Sequence, residues 1–143
     1  MGAVKIKAAD KYFSQCVRER AGWTCERCGS YKPEGQRMGL HCSHYHGRGK
    51  WGVRFDPENC ESLCYGCHAF LEQHPYEHEK RQREMMGDGG YELLLERARD
   101  TSLGRTAKRS EAQIRKHYRE ELKRMQDLRL QGVTGRIEFN NWC

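Results

Sequence analysis

The sequence predicts a mixed α+β fold in which two short antiparallel strands are surrounded by helices. Residues 38–45 and 52–55 alternate in the manner of strands, and the glycine-rich residues 47–52 can connect them as a hairpin. Apolar residues at helical spacing precede and follow this region. Only 36% of the 143 residues are hydrophobic, so we expect a small core that needs a metal ion or a partner to hold it.

The first and last helices are the clearest of the predicted elements. Asp10 can cap a helix that ends near Gly22, and Cys16 on its apolar face is expected in the core. Ser110 opens a capping-box pattern at the start of a long helix, and residues 101–108 are predicted to be a polar linker before it. The remaining helical stretches are predicted from about residue 63, over 76–86 and over 91–99, with glycine-rich residues 87–90 as a break.

The long helix, residues 110–131, carries an apolar stripe that a small core is too short to cover. At about 1.5 Å per residue it spans roughly 30 Å. It can lie across the domain or serve as a dimerisation arm, and the sequence leaves both open. The stripe consists of Ile114, Tyr118, Leu122, Met125 and Leu128, and the tail residues expected to dock are Ile137, Phe139 and Trp142.

Four of the eight cysteines form two C-x2-C pairs, Cys25/Cys28 and Cys64/Cys67. A secreted chain would use this many cysteines in disulfides, but the sequence does not begin with the apolar stretch of a secretory signal. Two thiolates two residues apart point to one metal ion, and two such pairs complete a tetrahedral zinc site. A thioredoxin-type redox pair and an iron–sulfur cluster are the weaker alternatives. We therefore expect one structural Zn2+ ion, closed to catalysis by its four thiolates.

Two histidines and an asparagine lie in the order His, Asn, His, the first two between the cysteine pairs and the last directly after the second pair. His44 is followed by Asn59 and then by His68, next to the second pair. This order, with its C-x2-C upstream, resembles the HNH (ββα-metal) nucleases. The resemblance spans roughly residues 10–99 and implies a small ββα-metal (HNH/His-Me finger) core held by the four-cysteine zinc site. The residues that make the phage NinG/Rap recombination nuclease family the closest are His41-x-x-His44-Tyr45, Val53-Arg54-Phe55-Asp56-x-x-Asn59, Cys64-x-x-Cys67-His68, Pro75-Tyr76 and the glycine-containing helix pair over 87–97.

Hydrolysis of a phosphodiester needs a base for the attacking water and a cation that stabilises the charge of the phosphate. The resemblance implies that His44 is the general base and that His68 binds the catalytic Mg2+ or Mn2+ ion. It also implies that Asn59 holds the connection between the strands, so that the imidazole points at the scissile phosphate. A neutral histidine suits the role of base at neutral pH.

The other ligands of the catalytic ion are less clearly indicated. Glu72 lies one helical turn after His68 and offers an oxygen ligand, or is a solvated helix residue. The family usually has Asp or His before the base, but this chain has Ser43, a poor ligand. His41 is the best replacement, although on a regular strand it faces away from His44, so the strand would need to bend. The weaker candidates are His46 and Asp56.

The connection between the predicted strands suits a polyanionic ligand. Residues 41–55 contain no acidic residue, and glycines let backbone amides approach phosphates closely. The net charge is +6, and residues 80–136 carry fifteen lysines and arginines against nine acidic residues. We expect sequence-independent contacts to a DNA backbone, the alternative being a mobile solvent loop. The expected DNA contacts are His46, Arg48, Lys50, Arg54 and, by stacking, Trp51.

These features together predict a metal-dependent DNA endonuclease. Because NinG/Rap nucleases act on recombination intermediates, the resemblance implies branched DNA such as Holliday junctions or D-loops as substrate. One alternative is a zinc-containing DNA-binding or packaging accessory module with a vestigial nuclease site, which Ser43 favours. The other is a general HNH nicking endonuclease.

We expect the chain to consist of two regions with different roles. Residues 1–100 form the zinc-containing nuclease domain, and residues 101–143 form a basic extension for dimerisation or DNA binding. A homodimer would supply the two active sites that symmetric cleavage of a junction needs. No apolar run approaches the roughly 20 residues of a membrane span, so we expect no membrane partner. The expected compartment is the cytoplasm of a bacterial host, for a phage or prophage protein.

Overall fold

The computed structural model of the chain describes residues 4–143 and confirms the mixed α+β class. No helix within these residues has both the length and the apolar character needed to cross a membrane. The elements are α1 (Ala8–Arg20), β1 (Leu40–His44), α2 (Trp51–Arg54), a 3-10 helix (Pro57–Asn59), β2 (Cys60–Cys64), α3 (Tyr65–Gln73), α4 (Pro75–Arg99), α5 (Thr101–Arg109) and α6 (Glu111–Leu130).

The sheet has two antiparallel strands, and the second is not the one predicted. β1 agrees with the expected strand over residues 38–45, but residues 52–55 do not pair with it, so that prediction is wrong. The partner is β2, and α3 follows it directly, close to the helix start expected near residue 63. The register pairs Leu40 with Cys64, His41 with Leu63, Cys42 with Ser62, Ser43 with Glu61 and His44 with Cys60.

Tertiary packing explains why residues 51–54 are helical. Val53 is fully buried against Leu94 and Ala98 of α4. Gly52 lies so close to α4 that a Cβ atom there would come within 2.5 Å of the Arg97 carbonyl oxygen. Four residues of alternation are too few to specify a strand against such packing.

The main core lies between α1 and α6. Phe13 of α1 is fully buried and its ring lies 4.9 Å from the ring of Tyr118 of α6, in edge-on geometry. Residues 45–59 form the connection between β1 and β2. The Tyr118 hydroxyl donates to the carbonyl of Phe55 at 2.5 Å, which joins this connection to the main core. Cys16 is buried here as predicted. Asp10 lies in the first turn of α1, and its carboxylate accepts from the backbone N–H of Lys7, so it caps the helix from inside.

The apolar stripe of α6 is covered by the chain itself. Ile114, Tyr118, Leu122 and Met125 are buried in the main core, and Leu128 packs against it. The tail docks on the same core, as predicted, with Ile137 and Phe139 buried. Within residues 4–143 this stripe is therefore not an exposed surface on which a second copy could dock.

One prediction for the helices needs correction. Residues 101–108 form α5 and not a linker, because Asp100 accepts from the N–H of Leu103 as N-cap and Ala107 is buried. The break expected over residues 87–90 is present at Gly87, whose non-helical φ of 73° separates two helical segments of α4 at a kink. Ser110 precedes α6 as expected, but its side chain makes no capping hydrogen bond.

Candidate functional site

The four cysteines of the C-x2-C pairs come together and can hold one metal ion. The Sγ atoms of Cys25, Cys28, Cys64 and Cys67 all lie within 4.8 Å of one another. The first pair follows α1, and the second spans the junction of β2 and α3. Four sulfur ligands in such a cluster suit a tetrahedral structural ion. The structure thus brings the four predicted ligands together in one cluster that could hold a metal ion.

The backbone around the pairs is already arranged for thiolates. The N–H of Cys28 donates to Cys25 Sγ, and the N–H of Cys67 donates to Cys64 Sγ, each at 3.5 Å. Hydrogen bonds from Ser30 lower the pKa of Cys28 to about 6. Burial raises the pKa of Cys67 to about 12, so an ion must displace the proton of this thiol when it binds.

A second group of possible ligands lies on the inner face of the sheet. Cys42, His44 and Cys60 offer ligand atoms within 4.8 Å of one another, because residues 42 and 44 share a face of β1 and residue 60 lies opposite 44. A hydrogen bond with Cys60 and then the charge of Arg48 lower the pKa of Cys42. The same positive charge disfavours a cation, and only three ligands are present. Of the two groups, only the four-cysteine cluster offers a complete tetrahedral ligand set.

A cleft of about 440 Å³ opens beside the C-terminal end of β1 and the helices α3 and α4. Two of the three predicted catalytic residues, His44 and His68, line it together. Its walls consist of Ser43, His44, Tyr45, His46, Gly47, His68, Leu71, Glu72, Pro75 and His78. The cleft thus contains nitrogen and oxygen atoms that could bind a metal ion, contributed by the end of β1 and by the helices α3 and α4.

His44 is held by the connection on one side and by the core on the other. Its Nε2 lies 2.9 Å from the carbonyl oxygen of Arg54. Because a carbonyl only accepts, Nε2 carries the proton of the neutral ring, and Nδ1 is the nitrogen left with a lone pair. Burial, followed by the charge of Arg48, lowers the pKa of His44 to about 4. The ring is therefore neutral at neutral pH, as a general base must be.

His41, His68 and Glu72 form a short chain of contacts. The Nδ1 atoms of His41 and His68 lie 2.9 Å apart, and the Glu72 carboxylate lies 3.2 Å from Nε2 of His68. Two nitrogens this close can bind one ion at about 2.1 Å each. The two contacts use different nitrogens of one ring, so an ion on His68 meets His41 or Glu72 in this arrangement, and not both. The strand bend expected for His41 is absent, since β1 pairs regularly throughout and His41 still reaches α3.

Asn59 is buried beneath the connection and ties its two ends together. Its Oδ1 accepts from the N–H of His46 at 2.9 Å, and its Nδ2 donates to the carbonyls of His46 at 2.8 Å and Val53 at 3.1 Å. These three bonds satisfy a side chain that is 1% exposed. The expected structural contact is therefore present, while Asn59 itself is not part of the cleft wall.

The predicted DNA contacts fall into two groups. Arg54 is 1% exposed and makes a bidentate ion pair with Asp10, at 2.6 and 3.0 Å, so the prediction that it contacts DNA is wrong. A basic residue in a glycine-rich segment gave no sign of this buried partner 44 positions away. The Trp51 ring is covered by the Arg54 guanidinium at 4.3 Å, which leaves little of it for stacking on a base. His46 and Arg48 are half-buried, and Lys50 is exposed.

Two cleft residues were not anticipated from the sequence. His78 of α4 lines the cleft, and its ring lies 4.8 Å from that of Tyr45. Burial, then the charges of Arg81 and His68, lower the pKa of His78. The Tyr45 hydroxyl shares a 2.7 Å hydrogen bond with that of Tyr91. Pro75 begins α4 and also lines the cleft, but it gives no local signal that His78, three residues later, would face the same space.

Comparison with protein-family models, with curated proteins and with solved structures finds no match for this chain. The resemblance to HNH nucleases therefore depends on the residues themselves. What the structure adds is their placement: two strands followed directly by a helix, a four-cysteine cluster, and a cleft lined by His44 and His68.

Proposed function

We propose that this protein is a metal-dependent DNA endonuclease of the HNH type. The observation that carries the proposal is the shared cleft of His44 and His68, where a neutral imidazole from β1 and an imidazole from α3 face the same space. A base and a cation ligand around one phosphate are the two components that phosphodiester hydrolysis requires.

His44 is the proposed general base. Its hydrogen bond to the Arg54 carbonyl fixes the tautomer, and Asn59 fixes the connection that carries this carbonyl. A substrate phosphate in the cleft raises the pKa of the imidazole by its negative charge, which strengthens it as a proton acceptor. The proton of the attacking water passes to His44 as the oxygen attacks phosphorus.

His68 is the proposed ligand of a catalytic Mg2+ or Mn2+ ion, with His41 or Glu72 as its neighbour. The donor set fits such an ion only in part, because the present contacts supply two donors at a time. When bound, a divalent ion stabilises the negative charge of the phosphate and of the leaving oxygen. Ser43 lines the cleft but offers only a weak hydroxyl ligand.

We further propose that the four-cysteine cluster holds Zn2+. Cys67 is directly followed by His68, so an ion on the cysteines fixes the start of α3 and with it the orientation of the cleft imidazole. With four thiolates, the zinc has no open position for substrate.

Cleavage of matched DNA substrates tests the function. With Mg2+ or Mn2+, the wild-type protein should cut a synthetic four-way junction in preference to linear and forked duplexes of the same sequence. His44→Ala should lower the cleavage rate by about 100-fold or more, as expected for loss of a general base. His117→Ala, a histidine of α6 outside the cleft, is the matched control and should cleave like wild type.

The outcomes separate the parts of this proposal. Equal activity of wild type and His44→Ala, with zinc content and thermal unfolding unchanged, would show that His44 is not the base. Equal cleavage of junction and linear duplex would instead support a general nicking endonuclease, and would overturn only the preference for branched DNA.

One observation favours a second candidate function, a zinc-containing DNA-binding or packaging module with a vestigial nuclease site. His41 and Glu72 approach different nitrogens of His68, so three ligands do not converge on one ion. Calorimetric titration of the zinc-loaded protein with Mn2+ distinguishes the candidates. An endonuclease should bind one ion and lose this binding in His68→Ala, whereas the module should release no heat of binding.

A further inference from the structure

A second concave surface lies beside the cleft, between the connection and α5. This groove measures about 400 Å³. Four of its lining residues are cationic: Lys50 of the connection, Arg99 at the end of α4, and Arg105 and Lys108 of α5. All four are exposed.

The four cations have no ionic partner in the part of the chain that the structure describes. Three arginines outside the groove show the contrast: Arg81 pairs with Glu61, Arg97 with Asp56 and Arg129 with Glu19. The groove contains one carboxylate, that of Asp100, and it accepts from the N–H of Leu103 as the cap of α5. The cations of the groove are therefore available to an anionic ligand.

Close packing of α5 against α2 forms the base of the groove. The position of a Cβ on Gly104 of α5 lies 3.6 Å from the backbone nitrogen of Gly52, so α5 and α2 are in close contact. The ammonium of Lys108 lies over the Trp51 ring, 5.7 Å from its centroid. A cation held over an aromatic ring loses less side-chain freedom when it binds a phosphate.

The connection contributes residues to both the groove and the cleft. Gly47 lines the cleft, Gly49 lines the groove, and the N–H of Lys50 donates to the carbonyl of Gly47 in a tight turn. His46 belongs to the cleft wall, while Lys50, four residues later, belongs to the groove. An extended polyanion can therefore occupy both surfaces at once.

We propose that this groove binds the phosphate backbone of duplex DNA and positions the neighbouring phosphate in the cleft. The proposal rests on the proposed function in taking DNA as the substrate. The cations on α5 and the connection suit contacts with DNA phosphates, which do not depend on base sequence. Within residues 4–143, no side-chain partner orients any of them toward the edge of a particular base.

Binding measured as a function of salt, without added Mg2+ or Mn2+, tests the groove apart from catalysis. Zinc-loaded wild type, Arg105→Ala/Lys108→Ala and the control Arg115→Ala/Arg119→Ala are titrated with a labelled linear duplex and with a duplex RNA of the same sequence. The control removes the same charge from exposed residues of α6 outside the groove. The groove variant should reduce the slope of log K against log salt by about 2, at roughly 0.9 per phosphate contact. The control should leave the slope near that of wild type.

Equal slopes for the two double variants would overturn the groove proposal even if wild type cleaves DNA. A reduced slope in the groove variant, in a protein that cleaves no DNA, would support the groove and contradict the nuclease. Tighter binding of duplex RNA with the same dependence on Arg105 and Lys108 would overturn the assignment of DNA as the ligand.

Discussion

Removal of the ion bound by the two cysteine pairs is expected to unfold the sheet and α3 and to abolish cleavage. The small core around the cysteines is too small to be stable alone. In small zinc domains, metal binding contributes about 10–16 kcal/mol to folding, comparable with the whole stability of a typical domain at about 5–15 kcal/mol. The buried residues of this core are Cys25, Leu40, Leu63, Cys67 and Leu71.

Zinc content and thermal unfolding measure this effect. Wild type should contain one zinc per chain, and chelation should lower Tm by more than about 15 °C, at roughly 3 °C per kcal/mol for a chain of this size. Cys28→Ser should behave like the chelated protein. Cys143→Ser removes an exposed thiol outside the cluster and should keep both zinc and Tm. A chelated protein with an unchanged Tm would contradict the structural role of the ion.

The elements that the sequence predicted well are those specified by local chemistry. Paired cysteines at a fixed spacing identify a metal cluster, because both the ligand type and the geometry are encoded within four residues. The apolar spacing of α6 identified its buried stripe, and Ser110 marked its start. These signals do not depend on which distant segment packs against them.

The errors arose where a distant contact decides the structure. Residues 52–55 alternate like a strand, but close packing of Gly52 and Val53 on α4 makes them helical. α5 has only two apolar side chains, Leu103 and Ala107, so the sequence predicts a polar linker there, although the Asp100 cap and the close approach of Gly104 to Gly52 fit the segment as a helix against its neighbours. Tertiary packing overrides weak local preference in both segments.

In the candidate site, too, features specified by local sequence were predicted and features decided by distant contacts were not. The order of His44, Asn59 and His68 predicted a site, and two of these residues share a cleft while the third ties the connection beside it. The predicted contact of Arg54 with DNA failed because its charge is neutralised by Asp10. His78 was missed because the fold, and not the local sequence, turns α4 over the cleft.

Loss of the Asp10 carboxylate is expected to be among the most damaging single substitutions in the chain. Asp10 and Arg54 are buried together, with side chains 2% and 1% exposed, and the guanidinium also donates to the Lys5 carbonyl. Asp10→Ala leaves an unpaired charge in the core, which costs about 3–5 kcal/mol when a buried ion pair is broken. Since the Arg54 carbonyl accepts from His44, displacement of Arg54 should also lower the cleavage rate in protein that remains folded.

Urea unfolding of three variants separates the effect of breaking the ion pair from the effect of losing side-chain volume. Asp127→Ala breaks the exposed Lys123–Asp127 pair of α6 and should cost no more than about 0.5 kcal/mol. The double variant Asp10→Leu/Arg54→Met replaces both charges with apolar side chains and should recover much of the stability lost in Asp10→Ala, because the penalty comes from the unpaired charge. If Asp10→Ala costs as little as Asp127→Ala, the pair does not anchor the connection to α1, and His44 must be positioned by Asn59 and the core alone.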